Sequence, residues 1–330
     1  MVTVNFWGVR GSVPTPLTAE DVRGKVWNAL LCYLKHRDEN KNSACTPEKF
    51  LEGLSIPAFG TYGGNTSCVE VLCGDSRFVL DMGTGLRELG KNLTTQMFDR
   101  GGLDITFLLS HVHWDHIQGL PFFGPLFVNK ETGIKNTWRF YGGTNWQETA
   151  QTCLRGQMDP PKFPVSWQEI EKLNYPIKTD DVYDMKRWEN GGVKIRTRKL
   201  NHPQETYGYR LEYDGKVVVY TTDNEPFDPR FPDPRLLDLA KDADVWITDC
   251  QYTQEVYNNS SFSRHGWGHS YPEAVAETAA QAGVKTIVLF HHDPASGDHK
   301  IADIEQHTQE LVGKKCKIVA AHEGLSIDID

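Results

Sequence analysis

The chain has 330 residues, 39% hydrophobic and 24% charged, with 35 Lys and Arg against 44 Asp and Glu for a net charge of −9. This is the composition of an ordinary globular protein, and no run approaches the roughly 18 apolar residues that would cross a bilayer, so no membrane partner is expected. The negative balance argues against a grip on long nucleic acid, which calls for a basic surface, and favours a small-molecule substrate.

Residues 2–7 (VTVNFW) read as a strand, which GVRGSVPTP then interrupts with glycine and proline. Between 18 and 42 the pattern changes: Val22, Val26, Ala29, Leu30 and Tyr33 recur at helical spacing ahead of a charged tail. This predicts one domain over 1–330 carrying a helical insertion at about 18–58, an exposed decoration, a homo-oligomer contact or a lid. GTYGGNTSC reads as a tight turn, with Asn65 placed to line a site. CVEVLCG and RFVLDMG read as strands around a turn at Gly74-Asp75, and LDITFLLS as a strand ending at Ser110, with Leu103, Ile105, Phe107 and Leu109 on one face. MDPPKFPVSW (158–167) is a rigid loop, or an apolar wall over a site through Phe163.

Further strands follow in VKIRTRKL, YGYRLEY, KVVVYTT, ADVWITD and KTIVLF. SYPEAVAETAAQAG is a helix, with Ser270 and Glu273 at capping-box spacing and Gly283 as its stop. Many strands with interleaved helices predict a layered α/β protein, its sheets packed together and its helices outside. Seven scattered cysteines without a CxxC pair, and an opening that lacks a basic then apolar run, predict a cytoplasmic protein without a disulfide framework.

The densest chemistry lies in HVHWDH. His111, His113, Asp115 and His116 crowd six positions at the end of a strand, where scaffolds present functional groups. Imidazole nitrogen and carboxylate oxygen are donors that Zn²⁺ accepts. The spacing lets His111 and His113 address one ion and Asp115 and His116 a second. Two ions need more donors, and each candidate follows a strand: His202 in KLNHP, Asp223 in YTTDNE, and His291 or His292 in VLFHHDP.

HVHWDH, a lone histidine, TTD and a final histidine after an apolar strand together resemble the metallo-β-lactamase superfamily. TYGGNTSCVEV, FVLDMGTGLREL, GWGHSYPEA and LFHHDP are similar to its ribonuclease Z and cyclic-phosphodiesterase branch. The resemblance covers 1–17 and 59–330. It implies an α/β fold, an αββα sandwich with two central mixed sheets flanked by helices, around two divalent metal ions. It places His111, His113 and His202 on the first ion, and Asp115, His116 and His291 (or His292) on the second. Asp223 would bridge, and His269 in GHS would reach the substrate phosphate or leaving group. Asp81 would support a ligand histidine; Asp249 is either a similar support or a strand-end polar group.

The expected activity is hydrolysis of a small or cyclic phosphodiester through a metal-bridging hydroxide, with Asp115 and His269 as catalytic groups. Zinc is the expected metal, with manganese or iron as alternatives on the same N/O donors. Rival readings are a transfer-RNA 3′ processing-type nuclease, a lactone or ester hydrolase on the same fold, and a non-catalytic metal-binding sensory protein. Residues 130–190, mixed in charge and rich in proline, offer no basic arm for RNA.

Overall fold

The computed structural model describes residues 1–39, 46–143, 150–228 and 231–330. The first half builds β1 (Val2–Gly8), β2 (Cys68–Cys73), β3 (Ser76–Leu80), β4 (Asp104–Leu108), β5 (Thr137–Gly142) and β6 (Lys178–Asp181). The second half builds β7 (Arg187–Asn190), β8 (Val193–Lys199), β9 (Tyr207–Tyr213), β10 (Lys216–Thr221), β11 (Val245–Asp249), β12 (Thr286–Phe290) and β13 (Lys317–Ala320). The chain then returns to the first half as β14 (Ser326–Ile329).

Two seven-stranded sheets result, ordered β14-β1-β2-β3-β4-β5-β6 and β13-β12-β11-β10-β9-β8-β7. Each is antiparallel on one side and parallel on the other, the change falling at β3–β4 and at β10–β11. Alternation assigns the faces. Along β1 burial reads buried, half-buried, buried throughout, and Val2, Val4 and Phe6 meet Ile195, Leu211, Val218, Tyr220 and Phe290 between the sheets.

The outer faces are equally apolar. Leu103, Ile105, Phe107 and Leu109 do share one face, as the sequence predicts, and pack under the helix Gly85–Arg100. Val219, Trp246, Ile287 and Leu289 pack under the helices Pro234–Ala240, Pro272–Ala282 and Asp298–Val312. Apolar residues on both faces of both sheets demand four layers, and the observed order is helix, sheet, sheet, helix.

Two local expectations are corrected. The strand before the histidine cluster stops at Leu108, not Ser110. Ser270 does not cap the following helix: Tyr271 takes the cap position, without a side-chain bond. The Ser270 N–H donates instead to Asp249 Oδ1 at 3.0 Å, because this segment is tied to the end of β11. Gly283 ends the helix in a left-handed conformation, as expected. In the predicted insertion, helices run over Ala19–Glu39 and Pro47–Glu52; residues 40–42 of the predicted helical segment lie outside the described residues.

Candidate metal centre

The strands β3, β4, β8, β10, β11 and β12 bring their carboxyl ends to one edge of the sandwich, and each is followed by a polar residue of the cleft. Asp81 follows β3, His111 follows β4, His202 follows β8, Asp223 follows β10, Asp249 closes β11, and His291 follows β12. Open α/β sheets present ligand sites at the carboxyl ends of strands. Asp81, Asp223 and His291 all take left-handed backbone angles, with φ of 62°, 54° and 61°. Such residues cost of order 1–3 kcal/mol each and gather at functional sites.

The seven predicted donors meet there in two groups. In the first, His111 Nε2 lies 2.9 Å from His113 Nδ1, His202 Nε2 lies 3.4 Å from the same atom, and His111 Nε2 lies 3.5 Å from Asp223 Oδ2. In the second, His116 Nε2 and His291 Nε2 are 3.2 Å apart, and each lies within 3.2 Å of Asp115 Oδ2. Asp223 Oδ1 stands 3.4 Å from His116 Nε2 and 3.3 Å from His291 Nε2. One oxygen of Asp223 thus faces each group.

The outer nitrogens show what the inner ones are free to do. His116 Nδ1 lies 2.8 Å from Asp81 Oδ2, His291 Nδ1 2.9 Å from Gln251 Oε1, and His202 Nδ1 3.2 Å from Gly268 O. His113 Nε2 lies 2.7 Å from Gln204 Oε1, and His111 Nδ1 3.1 Å from Ser110 Oγ, whose own proton goes to Asp81. Each outer nitrogen therefore donates to an acceptor, and each inner nitrogen can turn a lone pair to a shared cation. A partner on the far nitrogen is how metal-binding histidines are oriented. The donor set is of a kind that divalent cations accept.

Electrostatics agree. Burial works to raise the Asp115 carboxyl, but His116 and His291 outweigh it and hold it well below the usual range. Burial likewise opposes ionisation of Asp223, and His291, His116 and His111 overcome it. Burial pushes His202 down to about 4 and His111 well below its ordinary value, so both are neutral donors at neutral pH. Burial lowers His116 too, but Asp115, Asp223 and Asp81 outweigh it and keep a proton on the ring that a cation would displace.

Backbone pairing turns His291 and not His292 toward the other donors. His292 N–H donates to Val9 O and Gly11 N–H donates to His292 O, both at 3.0 Å, so the two rings leave on opposite sides of the chain. His292 Nε2 turns away to Ala321 O at 2.8 Å. Close approach depends on glycine: a Cβ at Gly11 would strike the His291 ring, and one at Gly268 would overlap His202 Nδ1.

His269 sits beside the donors, its ring 5.0 Å from His291 and 5.7 Å from His202. Its Nδ1 lies 2.6 Å from Asp249 Oδ2, while Asp249 Oδ1 accepts from the N–H of Gln251 and Ser270. Burial works against charge on this imidazole, but Asp249 outweighs it and raises the pKa to about 9. Asp249 is thereby committed to orienting His269.

Other expectations place differently. Asn65 turns its side chain to Glu323 Oε2 at 2.9 Å and braces a loop. Phe163 packs on Phe122 and Phe127, at 5.8 and 6.2 Å between ring centres. Sequence reading did not single out Gln251, Gln204, Ser110 or Tyr220; a glutamine or a serine after a strand carries no signal of the histidine it will meet. Nor did it find Glu225, a buried carboxylate that accepts from the N–H of Gly266 and Gly268, both at 2.8 Å, and so holds the loop that faces His202.

Residues 76–292 match the family model described as the β-lactamase superfamily domain. Among curated proteins, the chain is 26% identical over 260 residues to ribonuclease BN of Escherichia coli O7:K1, covering 65% of this chain and 77% of that one. Among solved structures, unliganded yeast PDE1 superposes with a TM-score of 0.62 at 12% identity, covering 98% of each chain. A diphosphatase from the PhnP family superposes with a TM-score of 0.59 at 16% identity, covering 100% of this chain and 98% of that one. At these identities the structural likenesses speak for the fold.

Proposed function

The chain belongs to the metallo-β-lactamase superfamily of hydrolases, and from that premise we propose that it is a phosphodiesterase that hydrolyses a small or cyclic phosphodiester at a two-cation centre. The observation that carries the reading is the placement of Asp223, with one oxygen toward His111 and His202 and the other toward His116 and His291. His111, His113 and His202 would hold one cation, Asp115, His116 and His291 the other, and Asp223 both. When bound, such cations supply Lewis acidity toward a phosphoryl oxygen and acidify water enough to make it a nucleophile near neutral pH. Zinc suits the donors, as do manganese and iron. The phosphorus chemistry in the names of its relatives supports the substrate class.

The chain's own groups handle the protons. Asp115 Oδ2 is fixed by the Ser12 N–H at 2.7 Å and is held ionised, so it can take or orient a proton from attacking water. Asp249 holds Nδ1 of His269 and raises its pKa to about 9 in the protein without cations, which suits this ring to carry a proton. Its Nε2 can then donate to the departing oxygen, help typically worth about 10²- to 10⁴-fold. Burial of His111, Asp115, His116, Asp223 and His291 lowers the local dielectric and strengthens each of these interactions.

The likeness to ribonuclease BN favours a second reading, cleavage of RNA. The net charge of −9 favours the small substrate. The test is a panel of cyclic and linear phosphodiesters, a precursor transfer RNA and a lactone, assayed with metal-loaded protein beside Asp115→Ala. Turnover of small phosphodiesters, lost in the variant, is expected. Turnover of the RNA or lactone alone would overturn the substrate assignment, and tight metal binding without turnover of any ester would overturn the enzymatic reading.

A further inference from the structure

The helix Ala19–Glu39 belongs to no part of the proposed chemistry, yet it carries the largest concentration of exposed apolar side chains among the described residues. Val22, Val26, Trp27, Leu30, Leu31 and Leu34 are between 43% and 63% exposed. At 100° per residue, Val22, Val26, Leu30 and Leu34 form a row that advances 40° at each step, and Trp27 and Leu31 form the next row. Together they cover a continuous arc of about 180°.

The helix is docked along the Val22 edge of this arc and the side beyond it. Ala29 is buried, Tyr33 meets Phe50 edge-on at 5.4 Å, and Lys25 Nζ lies 2.7 Å from the buried Asp298 carboxylate at the start of the helix Asp298–Val312. The rest of the arc, from Val26 round to Leu31, is left facing outward.

We propose that this arc is the dimerisation face of the protein, covered by the same helix of a second copy in antiparallel two-fold arrangement. Area is the first argument. Six side chains about half exposed present roughly 600 Å² per copy, at the upper end of the largest patch on a typical monomer. Two such faces reach roughly 1,200 Å², the size at which specific interfaces begin, before any polar rim is counted.

Self-complementarity is the second argument. A two-fold axis level with the Asn28–Ala29 bond sets Val26 opposite Leu31 of the second copy and Trp27 opposite its Leu30, each contact occurring twice. The same axis sets Glu20 opposite Arg37 of the second copy. Both are exposed and both flank the arc, and their present partners, Arg23 and Asp38, are neighbours on the same helix at 3.5 and 3.6 Å. Antiparallel pairing also opposes the two helix dipoles favourably. The flanking charges are of both signs, Glu20, Asp21 and Asp38 beside Arg23 and Arg37, where a helix built for an anionic membrane surface would be uniformly basic.

The test is sedimentation equilibrium of the full chain at micromolar concentration, which is independent of any catalytic assignment. A mass twice the 37.4 kDa of one chain is expected. Leu30→Glu, at an exposed position, is expected to give a monomer with unchanged far-ultraviolet circular dichroism. Glu20→Arg and Arg37→Glu are each expected to weaken the dimer about ten-fold, and combining them in one chain to restore it. Mixing the two single variants should yield heterodimers. A wild-type monomer at 100-fold higher concentration would overturn the proposal, as would a dimer that Leu30→Glu leaves intact. Binding of the monomer to phosphatidylglycerol vesicles through this helix would overturn it in favour of a membrane surface.

Discussion

Replacing Asp81 by asparagine removes one charge from behind the donors and leaves the shape unchanged. The carboxylate is fully buried and accepts four bonds: Ser110 N–H on Oδ1 at 2.7 Å, and on Oδ2 the Ser110 hydroxyl at 2.7 Å, His116 Nδ1 at 2.8 Å and the Tyr220 hydroxyl at 2.7 Å. An amide keeps only one acceptor atom. With that oxygen at the Oδ2 position, the Ser110 N–H faces an NH₂ group and is stranded, at about 1–3 kcal/mol. The three bonds that remain lose their charge assistance, about 1 kcal/mol each. The sum, roughly 4–6 kcal/mol, is a large part of the 5–15 kcal/mol that holds a typical domain folded.

For the metal centre, the loss falls on His116, whose ring orientation and basicity depend on that carboxylate. A ten- to hundred-fold weaker affinity for one of two cations is expected, about 1.4–2.8 kcal/mol. The assay is zinc titration of chelator-stripped protein against a chromophoric competitor, beside urea unfolding. If Asp81→Asn bound both ions with wild-type affinity, the reasoning that this carboxylate orients His116 would be refuted.

Gly268 tests the other half of the centre. Its φ is 87° and a side chain there would occupy the place of His202 Nδ1, so Gly268→Ala should lower affinity for one cation at least ten-fold and hydrolysis with it. Gly266→Ala, at φ 81° with open space around it, should cost some stability and leave the metals bound. His292→Gln should retain both cations, whereas His291→Ala should lose one; equal losses in metal titration would sink the distinction between them. Burial holds His292 at about 3, below its unfolded value of 6.5, so between those limits the unfolded chain binds a proton that the folded one does not. Its contribution to stability is present above pH 6.5 and falls on acidification by about 1.4 kcal/mol per unit. Urea unfolding of the chelator-stripped His292→Gln variant between pH 7 and 5 should therefore be less steep by up to that amount, and an unchanged slope would show His292 to be uninvolved.

The layers were legible because period-two burial along β1 and the four-residue apolar face of β4 leave little choice of partner. The donors were legible because histidine and aspartate recur at strand ends in a fixed order. Their supports were not. Gln251 and Gln204 reach their histidines across 40 and 91 residues, and a glutamine amide looks the same in sequence whether it orients a ring or meets water. Ser270 misled because a capping-box spacing is local, while the Asp249 carboxylate that takes its N–H lies 21 residues away. The helical spacing at 22, 26 and 30 predicted the helix, and these apolar side chains are exposed, as expected of a decoration on the core.

The account stands on seven side chains acting as one cradle for two cations. The direct measurement is the number of divalent ions retained per chain, by elemental analysis after zinc loading and exhaustive dialysis, for the wild type and Asp223→Ala. Two ions on the wild type, with weakened retention at both positions in the variant, are predicted. One ion or none on the wild type, or two held with undiminished affinity without Asp223, would contradict it.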